Sequence, residues 1–188
     1  MIELFREGLD VQRFLTDRGW PFCFIGGVAV QHWGEPRVTR DLDLTVFTGF
    51  GGEPPVVDAL LAHYPARRPD ARAFALRHRV LLFSTPAGVP VDLALGALPF
   101  EADMIARATE IEFEPEVALR ICSAEDLLVL KAFADRLQDR ADAAGIARRR
   151  GRGLDWEAIL TRLTPLAETK GDPGILQRVH ALRAEFGA

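Results

Sequence analysis

The sequence of 188 residues predicts an α/β (α+β) fold: a mixed sheet with flanking helices, followed by a mainly helical C-terminal region. Three observations carry that expectation. Short apolar or β-branched runs at 22–25, 41–48, 80–83 and 89–95 alternate with segments whose apolar residues recur every three or four positions. Glycine and proline mark the joints between them, most densely over 49–55. Beyond Ser123 the pattern is almost wholly helical. These readings place an α/β core at 1–96 and a mainly helical region, packed on that core, at 97–188.

Taken in order, Leu4, Phe5, Leu9, Val11, Phe14 and Leu15 fall at helical spacing, and Gly19 with Pro21 ends that helix. A buried strand over 22–25 leads into the glycine pair Gly26-Gly27, read as a turn, and a brief helix over 28–32. Residues 41–48 form a central strand, continuously apolar or β-branched after Asp43. A helix starts at Pro54 or Pro55 and runs to about His63. The strand over 80–83, the turn Thr85-Pro-Ala-Gly-Val and the strand over 89–95 make a hairpin whose second arm carries Asp92. A short helix over 100–108 and a last strand over 117–121 follow. Ser123, with Asp126 three residues on, opens the next helix. Further helices are expected over 139–149, 155–163 and 174–186.

The 48% hydrophobic share suits a chain that buries a core, and no run reaches the roughly 20 apolar residues of a membrane helix. The first ten residues mix acids with apolar side chains, unlike a signal peptide. Cys23 and Cys122 read as packing thiols, and a reduced, cytoplasmic protein is expected. The net charge of −4 gives the whole chain no polyanion signature. Arginines nevertheless cluster at 67–79 and at 148–152, either as phosphate-attracting patches or as solvated helix faces. His32, His63, His78 and His180 have no metal-ligand spacing, and Trp33 and Trp156 read as core.

Three features point to chemistry. Strand side chains alternate, so Asp41 and Asp43 share one face while Leu42 and Leu44 take the other. Two neighbouring carboxylates repel, and a divalent cation between them relieves the repulsion; without one they are strand-end acids paired with Arg37 and Arg40. Asp92 on the hairpin is a third acid of the same kind. Gly26 and Gly27 let backbone N–H groups approach a phosphate with no Cβ in the way. Magnesium, or manganese, prefers such an all-oxygen shell shared with substrate phosphates. Lys131 lies on an otherwise apolar helix face, and Asp139 and Asp142 share a face of the next helix.

The stretch Ile25-Gly-Gly, with Arg37, Thr39, Asp41 and Asp43, followed by Val91-Asp92-Leu93, resembles the polymerase-beta-type nucleotidyltransferase superfamily in its minimal form. The block from Ser123 to Lys131, with Asp139 and Asp142, is similar to the AbiEii-type toxin branch, although Gln138 stands where that branch carries lysine. The resemblance implies a nucleotidyltransferase core and transfer of a nucleoside monophosphate from a nucleoside triphosphate to a hydroxyl of RNA (tRNA included), a small molecule or a protein. Asp41, Asp43 and Asp92 would hold Mg2+ or Mn2+. Gly26, Gly27, Arg37, Thr39 and Arg40 would line the nucleotide. Lys131 would neutralise phosphate charge, Asp142 would orient Lys131 or the acceptor, and Asp139 is a further candidate site residue. A toxin role implies a cognate antitoxin protein. The alternative is a nucleotide- or partner-binding module that keeps the fold without turnover.

Overall fold

The computed structural model describes residues 2–187 and divides into two units, Met1–Val28 with Val38–Cys122 and Ala29–Arg37 with Ser123–Ala188. The first unit holds helix α1 (Ile2–Thr16) and the strands β1 (Phe22–Phe24), β2 (Leu42–Phe47), β3 (Val80–Ser84), β4 (Pro90–Gly96), β5 (Thr109–Glu114) and β6 (Val117–Ile121). They form one six-stranded mixed sheet in the order β3-β4-β2-β1-β6-β5. β2 runs parallel to β4 and antiparallel to β1, and β1 runs parallel to β6. The expected α/β mixed sheet is therefore present.

Alternation explains how the sheet buries its core. Leu42, Leu44 and Val46 on β2 and Val91 and Leu93 on β4 are fully buried, and their register partners lie side by side. Gly8 of α1 lies against Leu42 and Leu119 on that face. The aromatic chain Phe14–Tyr64–Phe83 continues the same packing, with ring centroids at 5.3 and 4.9 Å. Tyr64 follows helix α3 (Glu53–His63) and donates to Asp10 at 2.9 Å. Helix α5 (Pro99–Arg107) lies against the opposite face, where Glu101 and Thr45 crowd Gly96. Near the acidic end of β2 that face also receives the start of helix α2 (Gly26–Trp33).

Beyond residue 96, β5 and β6 extend the same sheet, and the first unit reaches Cys122. Two elements were not anticipated: helix α4 (Ala71–His78) and the edge strand β5. The glycine pair also differs from the expected turn, since Gly26 and Gly27 are the first residues of α2.

The second unit comprises the end of α2 with helices α6 (Ala124–Ala134), α7 (Leu137–Arg150), α8 (Trp156–Lys170) and α9 (Gly174–Phe186). Ser123 caps α6 by accepting from the Asp126 N–H at 3.1 Å. α6 buries Leu127, Leu128 and Val129 on successive positions, the pattern of a helix packed on several sides. Among the described residues no helix is long and apolar enough to cross a membrane.

Candidate active site

The acids of the sheet unit are set by register. Asp43 and Asp92 are direct partners on the parallel strands β2 and β4. Neighbouring strands lie about 4.8 Å apart, and partnered side chains leave on the same face. Each acid is half-buried between fully buried neighbours, Leu42 and Leu44 for one, Val91 and Leu93 for the other. Neither strand can turn its acid away without exposing that core. Asp41 stands one residue before β2 begins, where its carboxylate accepts from the Thr39 hydroxyl at 3.0 Å.

The glycines shape the space beside these acids. Gly26 has φ +55, in the left-handed region, and a Cβ there would collide with the Asp43 carboxylate. Gly27 stands equally close to the Thr39 side chain, which is buried. Two demands, backbone hand and close approach, therefore require glycine at position 26. The result is a helix start whose first two residues carry no side chain of their own, beside a carboxylate. Arg40 is exposed and makes no ion pair among the described residues.

The third acid has a partner that the sequence did not reveal. The Arg67 guanidinium pairs with Asp92. Arg67 reaches it because its N–H bonds the Leu82 carbonyl at 3.1 Å, and the adjacent bridge Ala66–Phe83 pins that segment against β3. Its basic cluster was visible in the sequence, but nothing local tied Arg67 to Asp92.

Register brings Asp43 and Asp92 together, while Asp41 stands just ahead of β2. Among the described residues no group of three acid, histidine or cysteine side chains is placed to hold a metal ion. Asp41 is drawn to Thr39 and Asp92 to Arg67. The donors still fit Mg2+ or Mn2+ in kind, being oxygen only. Such ions commonly take one or two carboxylates and complete their shell with water and substrate phosphate, so the Asp43–Asp92 pair is a sufficient protein share.

The helical unit holds a second, denser cluster. Lys131, buried on α6, bonds Asp139 at 3.0 Å and Asp142 at 2.8 Å, both buried on α7. Arg37 grips Asp142 with two nitrogens, at 2.8 and 3.0 Å, and Gln138 adds a bond to it at 2.9 Å. Arg136 bonds Asp139 at 2.5 Å. Burial alone would raise the Asp142 carboxyl, but the bonds from Arg37, Lys131 and Gln138 outweigh it and hold the group down at about 2. Asp139 is likewise lowered, burial being overcome by Arg136 and Lys131.

Arg37 and Lys131 are both directed into carboxylates of their own unit. Gln138, which replaces an expected lysine, supplies a neutral donor to an acid that already faces two cations. Asp126, fully buried, accepts from the hydroxyl of the Ser123 cap at 2.9 Å and pairs with Arg162 at 3.1 Å.

No family model matches the chain, and no curated protein matches it. Solved structures do. An antigenic nucleotidyltransferase-like protein from Paracoccidioides brasiliensis matches with a TM-score of 0.57 at 16% identity, covering 95% of this chain and 94% of that one. This chain is similar to it in fold. The antibiotic-resistance factor ANT(2'')-Ia overlays with a TM-score of 0.47 at 14% identity, covering 98% of this chain and 90% of that one.

Proposed function

We propose that the chain is a nucleotidyltransferase that moves a nucleoside monophosphate from a nucleoside triphosphate onto a hydroxyl acceptor and releases pyrophosphate. The observation that carries this reading is the Asp43–Asp92 pair, in register on adjacent parallel strands beside the bare helix start at Gly26. The fold it shares with a nucleotidyltransferase-like protein agrees. The N–H groups at the start of α2 suit the triphosphate, because a helix N-terminus favours negative charge and glycine permits close approach. Arg40 adds an exposed positive charge. Thr39 fixes Asp41 beside that start. Bound Mg2+ or Mn2+, held by Asp43 and Asp92 with Asp41 beside them, would neutralise phosphate charge. Asp92, once clear of Arg67, can accept the proton of the attacking hydroxyl at a carboxylate oxygen. Positioning and charge stabilisation then supply most of the acceleration.

Lys131 and Arg37 are positioning residues, fixing Asp139 and Asp142 within the helical unit. The block from Ser123 to Asp142 favours the AbiEii-type branch, hence an RNA acceptor and a cognate antitoxin. Two buried, free cysteines suit a cytoplasmic setting. A second reading, nucleotide binding without turnover, is favoured by the Arg67–Asp92 pair. The test is incubation with each α-labelled triphosphate, Mg2+ and total RNA, protein or small hydroxyl acceptors. Label transfer with pyrophosphate release, lost in Asp41→Ala/Asp43→Ala, is expected. Nucleotide binding without either product would establish the second reading instead.

A further inference from the structure

A feature of the helical unit outside the acid clusters is arginine-rich. Arg148, Arg149, Arg150 and Arg152 line a concave pocket of about 530 Å3 with Gly151, Gly153, Glu185 and Phe186. The four arginines are exposed, at the end of α7 and the short 3-10 turn Gly151–Gly153. That turn is fixed from beneath, because the Trp156 indole donates to the Gly151 carbonyl at 2.8 Å and Gly151 packs against Phe186.

Arg148, Arg149 and Arg150 are held in place with donors to spare. Arg150 stacks over Trp33 at 4.7 Å, and Arg148 lies 5.8 Å from the Phe186 ring while pairing with Glu35. Arg149 bonds the Gly34 carbonyl through one nitrogen. A guanidinium has five N–H donors, so one contact leaves most of the fork for a ligand. The pocket is lined by four arginines and Glu185, with Glu35 beside it, in a chain whose net charge is −4. His32 senses this field: its ring is lowered first by burial and then by Arg150 and Arg149.

We propose that this pocket binds the phosphate backbone of single-stranded nucleic acid, with bases stacking on the guanidinium planes braced by Trp33 and Phe186. Arginines interleaved with aromatic rings are the general solution for unpaired strands. Four cations exceed the need of one phosphate, and a concave polar surface without inserting apolar side chains is unlike a membrane-binding face. Binding is read without turnover, so it stands or falls separately from the transferase reading.

The experiment is fluorescence anisotropy of a fluorescein-labelled uridine 12-mer with the full chain, without Mg2+ or triphosphate, across a salt series. Binding with a log–log salt slope of about −0.7 per phosphate is expected. Arg150→Ala/Arg152→Ala should weaken it at least about tenfold and flatten the slope by about 1.4, with unchanged thermal unfolding. The oligonucleotide should also raise the His32 titration seen by NMR, a shift absent in the double variant. The proposal is overturned if wild type does not bind at low salt or if the double variant binds equally. It is also overturned if inorganic polyphosphate or phosphatidylserine vesicles displace the oligomer at equal charge.

Discussion

The two units each carry a cluster of aspartates with basic partners, yet the clusters are built oppositely. In the sheet unit, Asp41 takes one hydroxyl and Asp92 one exposed arginine. In the helical unit, Asp142 alone receives bonds from Arg37, Lys131 and Gln138, and both Asp142 and Lys131 are buried. A buried acid that loses such partners is strongly penalised, whereas a half-exposed pair exchanges with solvent or ligand at little cost. The difference agrees with the proposed roles: the dense cluster ties α6 to α7, and the sparse one is the proposed substrate site.

The largest expected effect breaks the dense cluster. Asp142→Ala leaves Lys131 and Arg37 without a shared acid and should cost about 3–5 kcal/mol in denaturant unfolding. An equal cost for Asp92→Ala would erase the contrast. Next comes pH. The Asp142 carboxyl sits at about 2 when folded, below its ordinary 3.8, so its contribution is complete above about pH 4 and disappears as pH falls towards 2. The loss should approach about 2 kcal/mol in acid unfolding and be absent from Asp142→Asn.

Gly26→Ala is a smaller perturbation of the sparse site. The left-handed backbone alone should cost about 1–2 kcal/mol in thermal or denaturant unfolding. The new methyl group should also abolish triphosphate binding in a fluorescent-nucleotide titration, because it meets the Asp43 carboxylate. Smallest in stability is Arg67→Ala, below about 1 kcal/mol for a solvent-exposed pair. It should nonetheless lower the Mn2+ concentration needed for half-saturation, since the guanidinium no longer competes for Asp92. An unchanged cation requirement would mean that the Arg67 pair does not control the site.

Much of this contrast was legible in the sequence, and the missing part has physical reasons. Periodicity of two and of 3.6 exposed the sheet, the terminal helices and the shared face of the acids, because those patterns follow directly from burial. β5 escaped because it is an acidic edge strand, with Glu110, Glu112 and Glu114 around Ile111 and Phe113 and no buried side chain. α4 escaped because its Arg72, Arg77 and His78 leave little apolar stripe. Gly26-Gly27 reads as a turn by propensity, yet tertiary packing against Asp43 and Thr39 makes it a helix start. α8 continues through Pro165, where the sequence suggested an end near Leu163. Arg136 with Asp139 and Gln138 with Asp142 follow helical spacing and could have been found. Arg67 with Asp92 could not, since only the bridge to β3 brings them together.

The central claim is that the sparse acids, and not the dense ones, take the divalent cation. Electron paramagnetic resonance of free Mn2+ titrated with the protein tests it most directly. The account predicts that wild type depletes free Mn2+, that Asp43→Asn/Asp92→Asn does not, and that Asp139→Asn depletes it as wild type does. Undiminished depletion by Asp43→Asn/Asp92→Asn would contradict it.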